Sequence, residues 1–399
     1  MEKRPLRIAM AVACSFPAQH GTPSSVIEMC TQLQQEGQQV HVVSYYTRDF
    51  ERELPFCLHR IPDWGAKKGK LGVGPSLNRI LYDVLLVFKL IQVVFREKID
   101  VIHSHNYEGG IAGWLASLIT RRPHVYHAHN TMIDELPQYE KIRPKWAAIL
   151  LARTLDFIVP RMPNHIIAIS KELETFLTTS GIPAERMTIL PLEMSMEIFD
   201  SPPSIDMVEK YHLPPTPRIV YTGTLDVFQR LDYLLEAFAL LYKRHPEVSL
   251  LLVANQHTPQ QIQVIEEQAE ALGLLSQVTI LTDTPLEELP LLLAASDVAV
   301  VSRPECPGFP MKILNYMAGK VPIVCFRRSA NFLLHEKTAL LAPDHDVSSL
   351  AQHMETLLED ADLRQKLAEN ALILLQELRK TPQAPKILGV YRKLVAPAT

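Results

Sequence analysis

What the 399-residue chain lacks narrows its class first. Its 15 glycines form no G-x-G-x-x-G turn after the first expected strand, and no G-x-x-x-x-G-K-[ST] occurs anywhere. A dinucleotide dehydrogenase and a P-loop enzyme thereby lose their main support. Nor does any apolar run reach the ~20 residues that a membrane-spanning helix requires. Charge of one sign is not in excess: 40 Lys+Arg against 44 Asp+Glu leave −4. A general nucleic-acid binder would carry surplus cations to displace counterions. Five scattered cysteines, an odd number and never spaced C-x-x-C, exclude a disulfide framework or zinc ribbon and point to a reducing cytosol. The apolar stretch Ile8 to Cys14 behind Lys3-Arg4 is only seven residues long and reads as a first strand rather than a signal peptide.

What is present is alternation. Short apolar runs at 7–13, 39–45, 101–105, 124–129, 165–170 and 188–190 are separated by helical patterns at 24–35, 77–98, 109–119, 144–159 and 171–180. Continuous apolar strands with intervening helices imply a parallel sheet covered on both faces. Five prolines between Phe199 and Pro217 interrupt the series. A second series follows, with strands at 218–221, 248–254, 278–281, 298–301 and 322–326. Its helices are expected at 231–242, 266–272, 286–294, 311–318 and 347–357. The expected architecture is α/β: two doubly wound, Rossmann-like domains facing across a cleft. The first spans 1–199 and is joined by a terminal helix at 384–399; a Pro-rich linker covers 200–217, and the second domain 218–383.

In open α/β sheets ligands sit beyond the carboxyl ends of the strands, so residues just after strands carry the chemistry. The first strand leads to Gly21-Thr22-Pro23-Ser24, a loop at a helix start with exposed N–H groups suited to phosphate or sugar hydroxyls, or simply a helix cap. Two strands end in alternating histidines, His103-Ser104-His105 and His127-Ala128-His129, the latter followed by Asn130. Period two puts each pair on one side of its strand. Without a carboxylate or Cys at ligand spacing, no metal is expected there. His129 is the candidate to orient an acceptor hydroxyl near neutral pH. The densest segment runs from Ser302-Arg303 through Glu305, Gly308 and Phe309 to Lys312, Asn315 and Tyr316. A loop feeding a helix start, with Arg303 and Lys312 nearby, suits an anionic group such as a diphosphate.

The order of these motifs resembles a retaining glycosyltransferase of family 4, with the GT-B fold. The pieces are the Gly21 loop, Asp100-Val101-Ile102-His103, the His129 strand end, Ala168-Ile169-Ser170-Lys171 and Tyr221-Thr222-Gly223-Thr224-Leu225. Leu234-Leu235-Glu236-Ala237-Phe238, the Gly308-Phe309 to Gly319 helix and Leu340-Leu341-Ala342-Pro343 complete it. The resemblance implies transfer of a sugar from a nucleotide sugar to a glycan or lipid-linked acceptor, without a bound metal or other cofactor. It implies catalytic roles for Arg303, Lys312 and His129. Donor contacts then fall to Gly223, Thr224, Arg230, Glu305, Gly308, Phe309 and Asn315, and acceptor contacts to Gly21, Thr22, His105 and Asn130. This chain departs from the family pattern: the usual pair of glutamates eight residues apart falls on Pro307 and Asn315. A nucleotide-sugar epimerase on the same fold and a catalytically silent sugar-binding partner protein are the competing readings. Between Ala66 and Lys98, seven cations against two carboxylates accompany a very apolar helix. That segment offers an anionic membrane surface as a partner and places the protein at the inner face of a membrane; a core helix beside a solvated loop is the ordinary alternative.

Overall fold

The computed structural model describes residues 4–17, 21–46, 54–62, 77–139, 142–191, 197–200, 202, 204–214, 217–254, 257–305, 310–379 and 383–396. The first part of the chain forms β1 (Arg7–Ser15), α1 (Gly21–Gln35), β2 (Gln39–Tyr45), β3 (Cys57–Arg60), α2 (Leu77–Arg96), β4 (Val101–His105), α3 (Asn106–Thr120) and β5 (His124–Ala128). It continues through α4 (Met132–Glu135), α5 (Lys145–Ile158), β6 (His165–Ala168), α6 (Lys171–Thr179) and β7 (Met187–Ile189). The second part forms α7 (Glu197–Asp200), α8 (Met207–Lys210), β8 (Arg218–Thr222), α9 (Leu231–Tyr242), β9 (Ser249–Ala254), α10 (Pro259–Ala271) and β10 (Val278–Thr282). Then come α11 (Leu289–Ala294), β11 (Val298–Val301), α12 (Met311–Ala318), β12 (Ile323–Phe326), β13 (Leu340–Ala342), α13 (Val347–Glu359) and α14 (Ala361–Arg379); α15 (Gln383–Val395) closes the chain.

The described residues up to 191, with α15, make one compact unit, and those from 197 to 379 the other. Each unit holds one parallel sheet. The orders are β3-β2-β1-β4-β5-β6-β7 and β10-β9-β8-β11-β12-β13, so both reverse direction beside their first strand. That reversal is the topological switch point of a doubly wound fold. Among the described residues, no helix is long and apolar enough to cross a membrane.

The alternation within β1 explains the two helical layers of the N-terminal unit. Ile8, Met10 and Val12 pack with Val26, Cys30 and Leu33 of α1 and with Ile387, Leu388 and Tyr391 of α15. Ala9, Ala11 and Ala13 turn to the other face, with Leu86 and Leu90 of α2 and Ala112 of α3. Small residues there let α3 come close: a Cβ on Gly109 would lie 3.1 Å from the Ala11 carbonyl oxygen. The C-terminal unit is built on Leu234, Leu235, Phe238 and Leu241 of α9 against Leu250 and Leu252 of β9.

Some elements differ from expectation for identifiable reasons. Strand β3 has no apolar run, because as an edge strand it stays half-exposed. Helix α10 starts seven residues before the expected Glu266. Thr258 and Gln261 form a reciprocal capping box ahead of Pro259, a start signal stronger than the apolar periodicity. Inside the proline-rich stretch, Asp206 accepts the N–H groups of Val208 and Glu209 and holds the single turn α8, with Met207 buried. Of the basic segment 66–98, residues 66–76 lie outside the described residues.

Candidate active site

In the C-terminal unit the switch point lies between β8 and β11, and two side chains of α12 fix its edge. Tyr316 of α12 is fully buried, and its hydroxyl accepts the Thr222 N–H at 2.9 Å, tying the end of β8 to α12. Four residues earlier on the same helix, Lys312 reaches back over that strand end. Its Nζ donates to Gln229 Oε1 at 2.9 Å and stands 3.9 Å from the centre of the Tyr221 ring. Gly223 is required at the junction twice over: its φ is 139°, and a Cβ would come within 2.9 Å of Lys312 Nζ. The Tyr221 hydroxyl donates to the Thr224 carbonyl at 2.7 Å, and the Ser302 hydroxyl to the Gln229 carbonyl at 2.9 Å. Strand β11 then delivers Arg303, whose guanidinium carbon is 5.0 Å from the centre of the Phe228 ring. Burial holds the Tyr221 phenol well above its usual pKa despite the nearby Arg303 charge, so Tyr221 stays neutral.

The loop after β8 also carries unsatisfied groups. Thr224 Oγ1 and Asp226 Oδ2 are buried without a hydrogen-bond partner, while Asp226 Oδ1 accepts from Gln261. Thr224 directly follows the Gly223 that Lys312 approaches, and its buried hydroxyl is a group that gains a hydrogen bond when a polar partner is brought to it.

The expected donor residues divide accordingly. Gly223, Thr224 and Lys312 come together around the end of β8, and Arg303 follows the neighbouring β11. Arg230 does not point its charge into this loop: its guanidinium grips Asp232 at 2.7 Å and covers the Tyr233 ring at 3.5 Å. Glu305 is engaged by Arg328 at 2.5 Å. Asn315 sits half-buried on α12, one turn beyond Lys312. Gly308 and Phe309 lie outside the described residues. Gln229, which shares Lys312, was not expected; it carries no charge or motif, and its neighbour Arg230 drew the assignment instead.

In the N-terminal unit, β4 and β5 bring four imidazoles into one stack. The His103 and His105 rings are 4.6 Å apart, and those of His127 and His129 are 4.7 Å apart. His105 Nδ1 and His129 Nε2 share a hydrogen bond at 3.1 Å, and His103 Nδ1 meets the Tyr391 hydroxyl at 2.5 Å. Burial, with mutual repulsion, holds His103, His105 and His127 well below their ordinary pKa, and burial pushes His129 down to about 3. His129 is therefore a neutral imidazole at neutral pH. A neutral ring can accept a hydrogen bond from an acceptor hydroxyl or donate one to it, the role expected of it, whereas charging it in this buried setting is costly.

Ring nitrogens of His103, His105 and His127 lie within 4.8 Å of one another, close enough to converge on a cation. That set contains no anionic ligand, so a dication among these buried rings would keep its whole charge in an apolar core. Beyond His129, the Asn130 side chain donates to Glu135, and the Asp156 carboxylate accepts the N–H groups of Met132 and Ile133 at 2.8 and 2.9 Å. The same carboxylate takes the Tyr107 hydroxyl, which fixes the loop after the histidine strand. Gly21 and Thr22 form the first turn of α1. The structure thus pairs His105 with His129 and keeps Asn130 on Glu135. Asp156 was not anticipated; its signal is an acid four and eight residues beyond Ala152 and Ala148 on the buried side of α5.

Known proteins match this chain along most of its length. The model for Glycosyltransferase Family 4 matches residues 20–192, and that for Glycosyl transferases group 1 matches residues 216–360. A D-inositol 3-phosphate glycosyltransferase of Thermobispora bispora is 24% identical, covering 92% of this chain and 88% of its own. One from Corynebacterium glutamicum is 23% identical, covering 98% and 97%. Among solved structures, sucrose-phosphate synthase from Thermosynechococcus elongatus superposes with a TM-score of 0.81 at 20% identity, over 98% of this chain and 99% of that one. Anabaena HepE in complex with UDP and glucose gives 0.74 at 18% identity, over 96% and 98%.

Proposed function

This chain is a glycosyltransferase of the GT-B fold, and we propose that it moves a hexosyl group from a nucleoside-diphosphate sugar to a hydroxyl of a glycan or lipid-linked acceptor. The observation that carries this reading is the approach of Lys312 Nζ to Gly223 beside the orphaned Thr224 hydroxyl. A diphosphate suits this strand end because Lys312 and Arg303 supply cationic donors beside a backbone that carries no side chain at Gly223. The HepE complex with UDP makes UDP-hexoses the first donors to try.

In the transfer, the bond between the anomeric carbon and the β-phosphate oxygen breaks, and its electron pair stays on the diphosphate. Lys312 and Arg303 offset that growing charge; such preorganised donors are worth roughly 10²–10³ in rate when one is removed. The acceptor oxygen forms the new bond to the same carbon. With His129 resisting protonation, the departing diphosphate is the better base for the acceptor's proton, and His129 serves as a neutral hydrogen-bonding partner that orients the hydroxyl. Retention at the anomeric carbon is part of the proposal and rests on the family likeness. Activity without the paired glutamates, at whose positions Pro307 and Asn315 stand, is a further part of the proposal. No metal is assigned to the donor: Lys312, Arg303 and the loop amides take the charge. The free Cys14, Cys30, Cys57 and Cys325 suit a reducing compartment.

The test is product formation from a panel of nucleotide sugars, followed by mass spectrometry with wild type and Lys312→Ala. Turnover should fall by about two to three orders of magnitude with the fold unchanged. Wild-type turnover in the variant would reject the assignment. Matches to transferases in both halves of the chain do not favour the epimerase or silent-partner readings.

A further inference from the structure

A helix packed on a sheet ordinarily buries its apolar stripe and exposes its polar one. Helix α5 does the reverse. Its buried residues are Ala148, Ala152 and Asp156, each four apart, whereas Trp146, Leu150 and Phe157 are 67%, 60% and 58% exposed and Leu151 and Ile158 also face outward. The one acid of the helix is turned inward, taken up by the Met132 and Ile133 amides and the Tyr107 hydroxyl. Helix α2 is apolar on two sides. Tyr82, Leu86, Leu90 and Val93 pack in the core, while Ile80, Val84, Phe88 and Phe95 form an exposed stripe. Leu118 and Ile119 are exposed at the end of α3. These helices connect β3 to β4, β4 to β5 and β5 to β6, always moving the same way across the sheet, so right-handed crossovers put all three on one face.

Isolated exposed apolar residues are ordinary, but a whole layer of them marks a contact surface. Its charge says what kind. Arg143, Lys145, Arg153 and Arg161 flank or lie on α5. Of the acids from 77 to 161 among the described residues, Glu97, Asp100 and Glu108 are offset by Arg96, Arg4 and Arg79, while Asp83 is held by Tyr45 and Asp156 by backbone amides. Asp134 takes Thr131, and Glu135 takes Asn130. A second copy of this chain, set against the same face by a two-fold axis, would oppose cation with cation. An anionic bilayer accepts both the apolar stripe and the cationic rim.

We propose that the α2–α3–α5 face of the N-terminal unit docks on an anionic lipid surface, with Trp146, Leu150 and Phe157 entering the boundary between headgroups and acyl chains. This goes beyond the transfer reaction and is measured without a sugar donor, so either can fail alone. The full chain is floated with phosphatidylcholine vesicles with and without phosphatidylglycerol, at low and high salt. Binding is expected only with phosphatidylglycerol, reduced by salt, and weakened roughly tenfold by each of Trp146→Glu and Leu150→Glu. Circular dichroism and nucleotide-induced thermal shift should show both variants folded. Absence of flotation with anionic vesicles would overturn the proposal, as would wild-type binding by the folded double variant. So would a dimer by light scattering that the same substitutions dissolve, without lipid binding.

Discussion

The two sheets share one order over six strands but arm their carboxyl edges in opposite ways. At the end of β8 the C-terminal unit gathers an ammonium, a guanidinium beyond the adjacent β11, and a glycine that leaves room for a ligand. At the ends of β4 and β5 the N-terminal unit packs imidazoles so tightly that they stay uncharged. The lesson is that topology supplies the position and the first few residues after each strand supply the chemistry. A charged cradle suits a departing diphosphate, whereas a neutral hydrogen-bonding edge suits a hydroxyl that must be aimed and not ionised.

The largest expected effect that would break this comparison comes from paired substitutions. Lys312→Met should lower kcat by about two to three orders of magnitude, whereas His129→Gln, which keeps a neutral hydrogen-bonding side chain, should lower it by no more than about tenfold. Steady-state kinetics with saturating donor compares them, and equal losses would erase the distinction. Next comes Gly223→Ala. With φ at 139° and a methyl group 2.9 Å from Lys312 Nζ, it should weaken donor binding by at least about tenfold while unfolding remains cooperative. Titration calorimetry reads that change directly.

Acid should separate the two units. The unfolded chain takes up protons on these histidines as pH falls through 6.5, whereas folded His129 and His124 resist protonation until about 3. Between those values the unfolded state binds more protons, so this contribution is intact above 6.5 and is lost as pH drops toward 3. Hydrogen exchange should show β4 and β5 losing protection in that window before β8 and β11 do. Simultaneous loss in both units would contradict the assignment. The smallest expected effect is that of Arg230→Ala. With its guanidinium held by Asp232, its removal should change kcat by less than about threefold.

Much of this was legible in the sequence. Continuous apolar strands such as Val298–Val301 and the periodic face of α9 expose the doubly wound architecture, because a two-sided parallel sheet leaves little freedom in composition. The region around Lys312 was legible because a helix spacing of four ties it to Tyr316, which the fold then anchors to Thr222. What could not be read was side-chain direction. Arg230 and Gln229 are adjacent, and a left-handed residue at Arg230 with φ 54° sends its guanidinium to Asp232, leaving Gln229 to hold Lys312. The histidines were placed correctly by period two. Their loss of basicity comes from burial, and His103 is covered in part by α15, whose Tyr391 lies 288 residues beyond it. Likewise, the inverted face of α5 follows from Asp156 turning inward; its spacing from Ala148 and Ala152 is a local hint, but its partners, the Met132 and Ile133 amides and the Tyr107 hydroxyl, lie elsewhere in the chain.

Calorimetric titration of UDP into wild type, Lys312→Ala and His129→Gln tests the central claim most directly. A diphosphate gripped at the end of β8 should lose affinity by roughly tenfold or more in Lys312→Ala and by almost nothing in His129→Gln. Undiminished binding in the lysine variant, or equal loss in both, would contradict it.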